Sequence, residues 1–144
     1  MDFTFNEEQT LIQSQVEQFI QRDYGWEQRQ SLIDSETGFN SKNWKTFADL
    51  GWLGIAFSEN SGGFGGNAID TMIIMEEFGK GLVLEPFLET VVLSGTIVDE
   101  AGTDEQKSNL LTRVIEGNLQ MALAYAEPQS RFNLANVTTE AKLS

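Results

Sequence analysis

Apolar residues recur three and four positions apart through most of residues 1–118, and these stripes predict a series of helices. Ile12, Val16, Phe19 and Ile20 share one face of a first helix. Asn6, with Gln9 three residues on, has the capping-box pattern that opens a helix, and Tyr24-Gly25 closes it. Trp26 to Ile33 predicts a short second helix, and the polar run Asp34 to Asn40 predicts a loop. A third helix is expected after Ser41 as its cap, carrying Trp44, Phe47 and Leu50, with Gly51 at the left-handed position after its end. Trp52 to Phe57 is apolar but short, consistent with a buried extended segment or a loop packed under helices.

Four glycines, Gly62, Gly63, Gly65 and Gly66, then interrupt the pattern. They lack the lysine and hydroxyl residue of a phosphate-binding P-loop and do not form G-x-G-x-x-G after a strand, so a tight structural turn is the better reading. Asn67 caps a fourth helix, expected over about Ala68 to Gly79, with Ile69, Met72, Ile73 and Phe78 inward. Glu76 and Glu77 sit near its C-terminal end, where the helix dipole disfavours negative charge. They therefore have partners outside the helix or face water. Adjacent helical residues point about 100° apart, so the pair is no catalytic dyad.

Leu82 to Val98 is the most apolar stretch, expected as a central helix with Pro86 near its start. Thr103 caps a last amphipathic helix ended by Gly117. Beyond it, Met121 to Tyr125 is apolar, Glu127-Pro128 breaks the run, and Asn136 to Leu143 alternates as a strand does. The expected architecture is mainly α, a helical bundle over residues 1–118, followed by the first strand or strands of a β-domain over 119–144.

Composition narrows the chemistry. The 144 residues contain no cysteine and no histidine. Disulfides, thiolate or imidazole metal sites, and Ser-His-Asp or Cys-His catalysis are excluded. A net charge of −13 repels phosphate backbones, which argues against nucleic-acid binding. No apolar run reaches the length of a membrane span. Met1-Asp2 leads straight into a helix signal without a basic leader, and with the absence of cysteine this points to the cytoplasm.

Four motifs in order resemble the acyl-CoA dehydrogenase family. Leu50 to Asp70, LGWLGIAFSENSGGFGGNAID, followed by Met75-Glu76-Glu77-Phe78-Gly79, is similar to the family's LGWLGIAFPEEYGG-GG and EE-G helix. Leu82 to Phe87 with Thr90 resembles its G-x-x-x-x-P-F-x-x-T helix. Ala101 to Lys107 resembles its G-[ST]-x-E-Q-K helix start, and Met121 to Pro128, MALAYAEP, resembles the A-x-T-E-P entry to the middle β-domain.

The resemblance implies an N-terminal helical domain followed by the beginning of a β-domain. It implies an oxidoreductase that uses FAD to introduce an α,β double bond into acyl-CoA thioesters in fatty acid metabolism. Electrons would leave through an electron-transfer flavoprotein, and the full-length form would be a homo- or hetero-oligomer. The family's usual catalytic glutamate lies in a C-terminal domain this chain lacks, so no catalytic residue is assigned and the chain alone is expected to be inactive. By the same resemblance, Phe87, Thr90, Val91 and Ser94 would contact the acyl chain, although ordinary helix packing explains that face equally well. Tyr125 and Ala126 would lie by the flavin, mostly through backbone groups. Ala126 stands where the family has a threonine, and Gln129 to Asn133 replaces G-A-G-S-D. These departures resemble the pimeloyl-CoA dehydrogenase small-subunit branch and leave an alternative, a non-catalytic helical subunit of a heteromeric dehydrogenase.

Overall fold

The computed structural model describes residues 4–142, so Met1, Asp2 and Leu143 of the sequence expectations lie outside the described residues. Six α-helices follow one another: α1 (Glu7–Asp23), α2 (Trp26–Ile33), α3 (Ser41–Asp49), α4 (Ala68–Gly81), α5 (Thr96–Ala101) and α6 (Asp104–Ile115). A π-helical segment, Leu88–Gly95, runs directly into α5, and 3-10 turns occupy Trp52–Gly54 and Glu59–Ser61. No strand occurs among the described residues, and 119–142 forms turns and irregular backbone. The expected strand over 136–143 is therefore not seen in its described part, 136–142. A single strand has no partner on which to complete its ladder, and even a lone hairpin is marginal in water.

Local chemistry explains most helix boundaries. Asn6 and Gln9 exchange side-chain and backbone bonds at the start of α1, Asn67 and Asp70 do so at α4, and Thr103 and Gln106 at α6. The cap of α3 is Asn40 rather than Ser41. The Asn40 side chain accepts the Lys42 N–H at 2.9 Å, and Ser41 is the first helical residue. Helix α4 runs two residues past Gly79, to Gly81, before Leu82 turns left-handed. The segment 82–86 is consequently not helical, and Pro86 falls just ahead of the helix, where its missing N–H costs little.

The core is aromatic. Phe47 stacks on Phe78 with centroids 4.9 Å apart, Trp52 meets Phe19 edge-on at 5.7 Å, and Phe87 meets Phe78 edge-on at 5.3 Å. The Trp52–Phe57 stretch is a buried turn rather than a strand. Trp44, Phe47, Trp52, Phe57 and Phe78 are buried, whereas Phe64 in the glycine loop is 62% exposed. It covers Gly51 and Gly54 from the solvent side.

Helix α4 buries a different face from the expected one. Ile73 and Phe78 point inward, but Ile69 and Met72 are exposed while Asp70, Ile74 and Glu77 are buried. The two carboxylates explain the difference, because each has a glutamine on α1 as partner. Gln9 Nε2 donates to Asp70 at 3.0 Å, and Gln13 Nε2 donates to Glu77 at 3.1 Å. Lys80 reaches both Glu77 and Glu76. Glu77 thus has the partner outside its helix that the dipole argument requires, whereas Glu76 pairs within α4.

The glycine-rich loop is a structural turn. A Cβ on Gly63 would lie 2.3 Å from the Phe57 carbonyl oxygen, so only glycine fits. Backbone bonds from Gly63 N–H to Ser58, Gly65 N–H to Phe57 and Gly66 N–H to Ile55 fold the loop onto the turn before it.

Candidate functional site

The π-helical segment carries the residues expected at the acyl chain. Phe87, at its N-terminal boundary, and Thr90 and Val91 within it are fully buried, and Ser94 is 8% exposed. Phe87 belongs to the aromatic core and Val91 packs with it. Thr90 uses its hydroxyl twice on one residue, donating to the Met121 carbonyl at 3.0 Å and accepting the Met121 N–H at 3.1 Å. Ser94 Oγ is buried with no partner among the described residues. All four share the inward side of one helix. Val92, half-buried against the core, and the exposed Thr96 lie on another side of the same helix and share a groove with α4.

Between these helices lies a groove of about 430 Å³, lined by Ala56, Thr71, Met72, Met75, Val92 and Thr96 together with residues at the start of α4. Its walls are small or flexible apolar side chains, which suit an aliphatic chain better than a charged ligand. Met72 was expected to be core. Its exposure instead makes it a wall of this groove.

Tyr125 and Ala126 lie in the irregular segment that leaves the bundle after α6. Both are exposed, Tyr125 at 58%. Leu119 and Met121 are half-buried against the core, after which the segment is open. Thr90 is the link between the two expected groups of site residues, because it holds Met121 four positions before Tyr125. The structure otherwise brings Tyr125 and Ala126 into no contact with the other four.

Three polar arrangements had no signal in the sequence. Asp99 accepts the Ser58 N–H at 2.8 Å and the hydroxyls of Ser58 and Ser61. Partial burial pushes its pKa up, but those hydrogen bonds, together with the charge of Lys107, outweigh this and hold it below the usual carboxylate range. Glu85 is buried beside Tyr24 and accepts from Asn43 Nδ2 at 2.9 Å. The Tyr24 phenol oxygen accepts the Leu84 N–H at 2.8 Å, and burial raises its pKa well above the ordinary value. In the tail, Glu127 accepts from the backbone and hydroxyl of Thr138 and from the backbone of Thr139, and these bonds lower its pKa strongly. Carboxylate partners 38 to 41 residues away, as at Asp99, leave no periodic trace in a sequence. No cluster of acidic residues suited to a metal ion occurs among the described residues. No helix among them is long and apolar enough to cross a membrane.

The helical bundle has the architecture of the N-terminal domain of acyl-CoA dehydrogenases. Residues 6–118 match the family model "Acyl-CoA dehydrogenase, N-terminal domain", and the chain belongs to the acyl-CoA dehydrogenase family. It is 30% identical over 144 residues to the acryloyl-CoA reductase (NADH) of Anaerotignum propionicum, covering 99% of this chain and 36% of that protein. It is likewise 30% identical over 135 residues to the short-chain specific acyl-CoA dehydrogenase of Clostridium acetobutylicum, covering 90% and 34%. Among solved structures, a variant of the Tcur3481–Tcur3483 steroid acyl-CoA dehydrogenase superposes with a TM-score of 0.78 at 28% identity, over 84% of this chain and 33% of that one. The chain thus spans about a third of the length of each of these proteins.

Proposed function

We propose that this chain forms the N-terminal helical part of an FAD-dependent acyl-CoA dehydrogenase, contributing one wall of the acyl site and one edge of the flavin site. The groove between α4 and the helix that includes Val92 and Thr96 carries the reading, because it is apolar, open along one side and walled by residues that adapt to an alkyl chain. In this reading the acyl chain touches Met72, Met75, Val92 and Thr96. Phe87, Thr90, Val91 and Ser94 form the layer directly beneath and keep the wall rigid.

Residues 119–144 are the start of the middle β-domain, whose strands pair once the remaining polypeptide supplies neighbours. The segment around Tyr125 and Ala126 suits a flavin edge in one respect. It is solvent-facing, and among the described residues its only backbone hydrogen bond within 122–126 runs from Tyr125 N–H to Leu123 O, so other backbone groups remain to meet the polar rim of the ring. FAD, when bound, supplies the hydride acceptor for the acyl β-carbon. The chain's own residues hold the acyl chain and exclude water from it, and the proton-abstracting carboxylate comes from elsewhere in the protein. Electrons then pass to an electron-transfer flavoprotein.

A second reading has support in Ala126, which offers no hydroxyl, and in the loss of G-A-G-S-D after it. In it, this chain is the helical, non-catalytic subunit of a heteromeric dehydrogenase of the pimeloyl-CoA small-subunit type. The exposed Phe64, Leu11 and Leu50, which line one depression beside the glycine loop, would meet the rest of such an assembly.

Val92→Trp tests the main reading by filling the groove from one of its walls. In the complete flavoprotein it lowers kcat/KM for acyl-CoA by at least about tenfold while flavin stays bound, through a raised KM. Unchanged kinetics across acyl-chain lengths would remove the groove from the acyl site.

A further inference from the structure

Thr90 is a buried side chain whose hydrogen bonds join the helical body to the segment running toward Tyr125. It is fully buried, lies in the π-helical segment, and bonds both backbone groups of a residue 31 positions away. A threonine hydroxyl has one proton and two lone pairs, and here the proton and one lone pair are committed to Met121. The hydroxyl therefore mimics the paired bonds that a neighbouring strand would provide.

Its surroundings prevent it from shifting. Val91 beside it is fully buried, and Gly95, one turn on, lies against the Phe57 ring. Thr90 N–H is itself held by the Pro86 carbonyl at 3.0 Å. On the other side, residues 122–126 have no comparable anchor among the described residues until Ser130 and Glu127 close the next turn. The direction in which the segment leaves the bundle is thus set at Met121.

We propose that Thr90 is a positioning residue. Its buried hydroxyl clamps Met121 and so fixes where Tyr125 and Ala126 stand relative to the acyl groove. This rests on the reading of Tyr125 and Ala126 as the flavin edge, and it gives Thr90 a role other than substrate contact. The threonine acts on the cofactor site through backbone placement rather than through the acyl chain.

The test compares Thr90→Val, which keeps the shape and removes both bonds, with Thr90→Ser, which keeps the hydroxyl. Hydrogen–deuterium exchange and flavin retention are measured on the same samples of the native assembly that carries this chain. Thr90→Val is expected to speed exchange of the Met121 amide at least about tenfold, leave α1 and α3 unchanged, and weaken flavin retention. Thr90→Ser is expected to restore both. Exchange at the Met121 amide that does not respond to Thr90→Val overturns the clamp. Faster exchange with flavin held as tightly as before keeps the clamp but overturns its positioning role. A wild-type assembly that holds no flavin overturns the parent reading and the positioning role with it, while the exchange arm still decides whether the clamp exists.

Discussion

Replacing Gly95 with alanine sets two well-defined effects against each other. In a helix, alanine is favoured over glycine by about 1 kcal/mol, because glycine loses more backbone freedom. At Gly95, however, the new Cβ would sit 2.4 Å from Cζ and 2.5 Å from Cε1 of Phe57. Ordinary carbon contacts are about 3.5–4.0 Å, so the overlap exceeds 1 Å. Phe57 is fully buried and its ring cannot swing into solvent. Overpacking of this kind costs about 1–3 kcal/mol, and an overlap this deep against an immobile ring belongs at the upper end. The net expectation is a destabilisation of about 2 kcal/mol.

Gly79 supplies the control. It lies in α4, is exposed, and a Cβ there meets nothing within 4 Å. Gly79→Ala should therefore stabilise by about 0.5–1 kcal/mol. Urea unfolding followed by circular dichroism reads both, as shifts of the midpoint at constant slope. Thermal midpoints should fall by roughly 6–10 °C for Gly95→Ala and rise by about 2–4 °C for Gly79→Ala. A Gly95→Ala protein as stable as wild type would refute the packing of Phe57 against the π-helical segment.

The α1–α4 contact and the Asp99 cluster give two further expectations. Glu77→Ala removes the acceptor used by Gln13 and Lys80 and should cost about 1–3 kcal/mol. In a double-mutant cycle with Gln13→Ala, urea denaturation should give a coupling of about 0.5–1.5 kcal/mol, and strict additivity would contradict the bond. Asp99 has a folded pKa below its ordinary value of 3.8. Its contribution to stability is therefore full above about pH 4 and lost as pH falls through the folded pKa. The stability gap between wild type and Asp99→Asn should be present at neutral pH and close in acid, and a gap independent of pH would refute the assignment.

How much of this was readable beforehand differs from element to element. The ends of α1 and α6 were legible because capping boxes are local, with both partners within three residues. The glycine turn was legible because its residues permit few other conformations. The inward face of α4 was misread because apolar periodicity assigns Met72 to the core and cannot anticipate that Asp70 and Glu77 are buried against glutamines 61 and 64 residues away. The apolar run from Leu82 reads as one helix, although Leu82 adopts left-handed geometry and helical structure resumes only at Phe87. The site residues illustrate the same limit. Family resemblance points to one helix, but which side of it lines the groove depends on tertiary packing, and the link from Thr90 to Met121 depends on a contact between distant segments.

The most direct measurement is anaerobic addition of an acyl-CoA to the purified native assembly that contains this chain, with flavin absorbance and the mass of the CoA product followed together. The account predicts bound flavin that is bleached by the substrate and a CoA thioester two hydrogens lighter. An assembly without flavin, or one whose flavin stays oxidised while the acyl-CoA is recovered unchanged, would contradict it.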